Sequence, residues 1–145
     1  MNTKILVPID LEHVSTQREV LRVAEVIANS EGAQVELLTV VEATPVLVSE
    51  FLPKQYEQNL SQTTRDQLET LAASMKLAGS PATFTVRFGS VYREILALRE
   101  ILQADLIVMG SHEPTVADYL LGSNAARVVR HAPCSVFIVR PPQSD

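Results

Sequence analysis

Tryptophan is absent, cysteine occurs once, and no stretch stays apolar for the roughly 18 residues that a membrane helix needs. Each shortage excludes a class of protein. A lone Cys134 permits no internal disulfide and no thiolate zinc cluster. It sits between Pro133 and the apolar run Ser135–Val139, where a small packing residue is expected and a redox or catalytic thiol is the alternative. The Lys and Arg residues form no run, and the formal net charge is −5. A nucleic-acid binder draws most of its affinity from phosphate neutralisation and shows a basic stripe, so that partner is not expected. Three Tyr and no Trp leave little to stack on a flavin ring. The opening MNTKILVPID begins a strand pattern at once and lacks the sections of a secretion signal, so a cytoplasmic protein with no membrane partner is expected.

What is present is an ordinary globular composition, 46% hydrophobic and 20% charged, at a length suited to a single domain, residues 1–145. Strand and helix patterns alternate along it. Ile5-Leu6-Val7 is a continuously apolar strand running into Pro8, Ile9 and Asp10. Val20, Leu21, Ala24, Ile27 and Ala28 follow at helical spacing, with Thr16 and Glu19 resembling a capping box and Gly32 a C-terminal stop. Val35 to Val41 reads as the second strand, then an apolar-rich connection from Glu42 to about Pro53. A helix is expected from about Gln55 to Leu77 on the face Leu60, Thr64, Leu68, Leu71, Met75, ended by Gly79 and Pro81. Thr83 to Phe88 alternates, as a sheet edge does. Ser90 should cap a helix with the stripe Val91, Ile95, Leu98, Leu102. Asp105 to Met109 is the fourth strand, a helix runs from Gly122-Ser123 to His131, and Ser135 to Val139 is the fifth strand, closed by Pro141-Pro142. The fold class is therefore α/β: a doubly wound, five-stranded parallel sheet of expected strand order 3-2-1-4-5 with helices on both faces, Rossmann-like.

Ligands of such sheets bind beyond the carboxyl ends of the strands, where the winding reverses. The candidates are Pro8-Ile9-Asp10, Val40-Val41, Phe88-Gly89 and Met109-Gly110-Ser111-His112. Gly110 follows a strand directly, and Gly122-Ser123 opens a helix whose unpaired amides present positive partial charge to an anion. Ser123 adds a hydroxyl and Asn124 an amide. The same residues suit ordinary turn and cap duty, and spacing alone leaves both readings open. Asp10 likewise suits either a ligand contact or the cap of the following turn.

KILVPID, DLIVMGSH and above all LLGSNAARVVRHAPCSVFIVRP resemble the universal stress protein family over nearly the whole chain, closest to short bacterial members with a Ser-His-x-Pro loop. The resemblance implies an adenine nucleotide alpha hydrolase-like fold and an adenine nucleotide, ATP or AMP, with Mg²⁺ accompanying ATP. Carried onto matching positions, it implies that Pro8, Ile9 and Asp10 border the adenosine and that Val40 meets the adenine through its backbone. Met109 and Gly110 would line the ribose side beside Ser111 and His112. Gly122, Ser123 and Asn124 would hold phosphate. Nucleotide-binding members of that family carry a further glycine separated from the first by two residues, and here Glu113 followed by Pro114 stands in its place. An intact site, a preference for a monophosphate and a loss of binding are the three outcomes this departure leaves open.

The functions in competition are a nucleotide-binding stress-response protein, a slow nucleotide hydrolase, and a protein-interaction module that has lost its nucleotide. Rapid phosphoryl transfer needs a Lys or Arg clamp. No GxxxxGK[ST] motif and no lysine beside the candidate loop are present, so a binding protein rather than an enzyme is expected. A phosphoacceptor receiver would want an Asp ending strand three, where Phe88-Gly89 stands, and a Lys after strand five, where none follows. Strand five offers Val136, Phe137, Ile138 and Val139 at a sheet edge, which pairing with a second copy would protect. The family resemblance implies the same homodimer, in some members doubled to a tetramer.

Overall fold

The computed structural model describes residues 3–42, 54–111 and 121–140. The strands are β1 (Lys4–Pro8), β2 (Gln34–Val41), β3 (Thr83–Phe88), β4 (Leu106–Gly110) and β5 (Ser135–Val139). The helices are α1 (Val14–Glu31), α2 (Lys54–Ser74), α3 (Val91–Leu102) and α4 (Ser123–His131). All strand pairings are parallel, in the order β3-β2-β1-β4-β5, the expected topology.

Side chains on a strand alternate between faces, so each central strand feeds two cores. Ile5 and Val7 of β1, Val35 and Leu37 of β2 and Val108 of β4 pack against Val20, Ala24 and Ala28 of α1 and Leu68 and Ala72 of α2. Leu6, Leu38, Ile107 and Met109 point the other way, onto Ile95 and Leu98 of α3 and Ala125 and Val128 of α4. Burial on both sides is why these strands read as unbroken apolar runs. The edge strands differ: β3 has no fully buried residue and β5 has only Val139.

Three local expectations need correction. The first helix begins at Val14, preceded by a short 3-10 turn over Leu11–His13, so Thr16 lies inside α1 and is not its cap. Glu19 instead forms an ion pair with Arg22 across the helix surface. The second helix stops at Ser74, short of Leu77. There the side chains of α1 claim the chain: Glu25 accepts from the Lys76 amide at 3.0 Å and Asn29 from the Ala78 amide at 2.8 Å, replacing the helical pattern. Finally, Ser90 occupies the N-cap position of α3 but makes no side-chain cap bond. Gly32, by contrast, ends α1 as expected: it is left-handed (φ 65°) and its N–H donates to the Ala28 carbonyl. The connection over 43–53 and the Pro141-Pro142 pair lie outside the described residues.

Candidate cleft at the carboxyl ends of strands one and four

β1 and β4 are neighbours, yet the chain leaves them in opposite directions, into α1 on one face and toward α4 on the other. The gap between the two departing segments is a cleft of about 710 Å³. Of the residues expected there, Pro8, Ile9, Asp10, Val40, Met109, Gly110, Ser111, Gly122 and Asn124 line it. Ser123 stands beside them in the first turn of α4 without contributing to the lining, and His112, Glu113 and Pro114 lie outside the described residues.

The β1 wall is held by β2. The Ile9 amide donates to the Leu38 carbonyl at 2.7 Å, and the buried Thr39 hydroxyl donates to the Ile9 carbonyl at 2.6 Å. Asp10 then caps the 3-10 turn, accepting from the Glu12 amide at 3.0 Å on one oxygen and meeting His13 Nδ1 at 2.8 Å on the other. Both readings of Asp10 therefore have an observation: it caps a turn, and it borders the cleft. Along β2, the Leu38 carbonyl faces β1 while the Val41 carbonyl accepts from the Gly89 amide on the β3 side. By that two-residue alternation Val40 turns its N–H and C=O toward the β1 side, beyond the last β1 ladder residue.

The β4 wall closes on Ser111. Its amide donates to the Val139 carbonyl at 3.0 Å, and its carbonyl accepts from the Gly122 amide at 2.8 Å, so the segment between them leaves from and returns to the same residue. With the backbone fixed on both sides, the Ser111 side chain is only 1% exposed, and its hydroxyl has no hydrogen-bond partner among the described residues. A buried hydroxyl without a partner is costly. Among the described residues the buried polar side chains are Gln17, Thr39, Thr64 and Ser111, and all of them line this cleft. Gly110 is not demanded by packing: an added Cβ would meet Gln17 and Val20 at an ordinary 3.6 Å. Asn124 supplies the cap that Ser90 does not, its Oδ1 accepting from the Tyr92 amide at 3.2 Å. It thereby ties the first turns of α3 and α4 together at the rim.

Charge is one-sided. Asp10, Glu12 and Glu42 line the cleft, and no Lys or Arg does among the described residues. Ligand atoms of Asp10, Glu12 and His13 lie within 4.8 Å of one another. The two carboxylates are the oxygen donors a hard divalent cation takes, whereas Asp10 is already committed to its turn. Cys134 is elsewhere, packed against the core on the α3–α4 face, where burial pushes its thiol above the ordinary value. That keeps it protonated at neutral pH and fits the packing expectation.

The expected list omits Gln17, Thr39 and Thr64. Each interrupts an apolar pattern: Gln17 continues the Val20–Ala24–Ala28 stripe of α1, Thr64 sits between Leu60 and Leu68 on α2, and Thr39 breaks the apolar run of β2. A polar residue on a stripe facing the core was the available signal.

Residues 1–140 match the sequence profile of the Universal stress protein family. Universal stress protein G of Shigella flexneri is 34% identical over 143 residues, spanning 97% of this chain and 100% of that protein. Among solved structures, the hypothetical protein MJ0577 superposes with a TM-score of 0.83 at 23% identity over 99% of both chains. A universal stress protein in complex with cAMP superposes at 0.65, with 22% identity over 96% of this chain and 97% of the other. A profile match over residues 1–140 and a relative 34% identical along its full length lead to one conclusion: the chain belongs to the universal stress protein family.

Proposed function

We propose that the protein binds an adenine nucleotide, AMP or ATP, in the cleft and acts as a regulatory, stress-response binding protein rather than an enzyme. The observation that carries this reading is the buried Ser111 hydroxyl, without a partner among the described residues and set among three other buried polar side chains at the carboxyl ends of β1 and β4. A bound polar ligand supplies what the free protein lacks. In this reading the adenine edge meets the backbone of Val40, with Pro8 and Ile9 beneath it. Asp10, Met109, Gly110 and Ser111 surround the ribose. The phosphate lies at the first turn of α4, at Gly122, Ser123 and Asn124, with His112 beside it. The cAMP-bound family member supports a nucleotide of this class. When the ligand is ATP, Mg²⁺ would be held by the phosphates together with the Asp10 and Glu12 carboxylates. The absence of Lys and Arg from the described lining removes the cationic clamp that rapid phosphoryl transfer uses.

Ser111→Ala tests this directly. Removing a hydroxyl that has no partner leaves the unfolding midpoint of the ligand-free protein unchanged or raises it, while AMP affinity falls about tenfold, the value of one good hydrogen bond. Calorimetric titration and urea unfolding read the two effects. Equal AMP affinity in both proteins would contradict the placement of the ligand against Ser111.

Self-association belongs to the same reading. β5 pairs with β4 on one side only, and Phe137 is 45% exposed at that edge beside Val136 and Ile138. A second copy adding its β5 across a two-fold axis covers this edge, and two such dimers would make a tetramer. The lone cysteine agrees with a cytoplasmic setting, and among the described residues no helix is long and apolar enough to cross a membrane. Phe137→Lys is expected to halve the mass measured by light scattering and to leave the helical circular dichroism intact. An unchanged mass would exclude this edge as the contact.

A further inference from the structure

The charge on the cleft bears on which purine compounds fit it. Three carboxylate side chains, Asp10, Glu12 and Glu42, line the opening. No Lys or Arg lines it among the described residues, and several are committed elsewhere: Arg22 pairs with Glu19, Arg87 with Glu94, Arg99 with the Ala104 carbonyl, and Arg127 stands over the Tyr92 ring. Outside the described residues, 43–53 and 112–120 contain no Lys or Arg in the sequence. What remains for an anion is the partial charge of the α4 amides, equivalent to about half an elementary charge and confined to one turn. That suffices for one phosphate. It does not offset the further negative charge, about one unit for ADP and two for ATP, brought close to carboxylates.

Resting on the adenine reading above, we infer that the cleft selects purine nucleosides carrying no more than one phosphate, cyclic or open, over di- and triphosphates that arrive without a cation. The Val40 backbone and the Ser111 hydroxyl offer the base and ribose neutral partners, and each phosphate beyond the first adds repulsion from Asp10, Glu12 and Glu42 with no cationic partner among the described residues. The discrimination is electrostatic, so it weakens as salt screens it.

The test is calorimetric titration of the ligand-stripped full chain with adenosine, AMP, ADP and ATP in EDTA, at low and high ionic strength. AMP is expected to bind about tenfold or more tightly than ATP at low salt, and the ratio to shrink toward unity at high salt. A Glu12→Gln, Glu42→Gln double variant, altered only at the rim, should narrow the low-salt ratio severalfold by raising ATP affinity. ATP binding as tightly as AMP in EDTA would overturn this inference and leave the adenine reading standing. Failure of all four compounds to bind would overturn both.

Discussion

Leu38→Ala should cost about 2–5 kcal/mol of unfolding free energy, the range for deleting a fully buried leucine side chain. Leu38 is 0% exposed in the core beneath α3 and α4, among Leu6, Ile95, Ile107 and Met109. Its neighbours come from strands and helices fixed by their own ladders and stripes, so the site has little freedom to collapse around the void. A small domain holds only about 5–15 kcal/mol in total, so the variant loses a large share of its stability. Urea unfolding with an unchanged slope measures the loss. The Leu38 carbonyl also anchors the Ile9 amide, so a shift of β2 would move the cleft wall as well as the core. A cost below about 1 kcal/mol would mean that this layer is not close-packed.

Gly122→Val should abolish nucleotide binding while leaving the fold in place. Gly122 has ordinary extended-side dihedrals (φ −60°, ψ 159°), so a side chain is not strained there. Its amide donates to the Ser111 carbonyl, and valine retains that N–H. What valine adds is an isopropyl group on the cleft lining, at the mouth of the first turn of α4 where the phosphate would sit. Blocking close approach to those amides removes the partial charge and the donors together, an expected loss of about 100-fold or more in AMP affinity. Ser123→Ala, one residue further and off the lining, should cost only a few-fold. Wild-type affinity in Gly122→Val would contradict the phosphate position.

Much of this architecture was legible in the residues. β3, β5 and α4 have the bounds read from their pattern, β2 starts one residue earlier, and β1 and β4 differ by one residue at each end. Such accuracy follows from burial on both faces, which writes a central parallel strand as a short apolar run bounded by turn residues. Alternation with right-handed crossovers and one reversal of the winding fits both 2-1-3-4-5 and 3-2-1-4-5, and the sheet has the second. Tertiary hydrogen bonds were not legible. Nothing local says that Asn124 caps α3 in place of Ser90, because the two first turns meet only in the folded sheet. Glu25 and Asn29 end α2 from a helix about fifty residues earlier, overriding the Gly79 and Pro81 stop signals.

The cleft was legible at its backbone corners and obscure along its sides. Strand ends can be read from sequence, so Pro8 to Asp10, Val40, and Met109 to Ser111 were found. Gln17 and Thr64 come from the sides of α1 and α2, and their place depends on how those helices lie across the sheet. The state of the Ser111 hydroxyl was beyond reach for the same reason, since both of its backbone anchors are long-range.

The central claim is that one nucleotide spans from the backbone of β2 to the first turn of α4. Amide chemical shifts recorded while AMP is titrated into ligand-stripped protein address it residue by residue. Saturable shifts are expected at Val40, Gly110, Ser111, Ser123 and Asn124, with the β5 amides still. Saturable shifts confined to the β5 edge, or none at millimolar AMP, would contradict it.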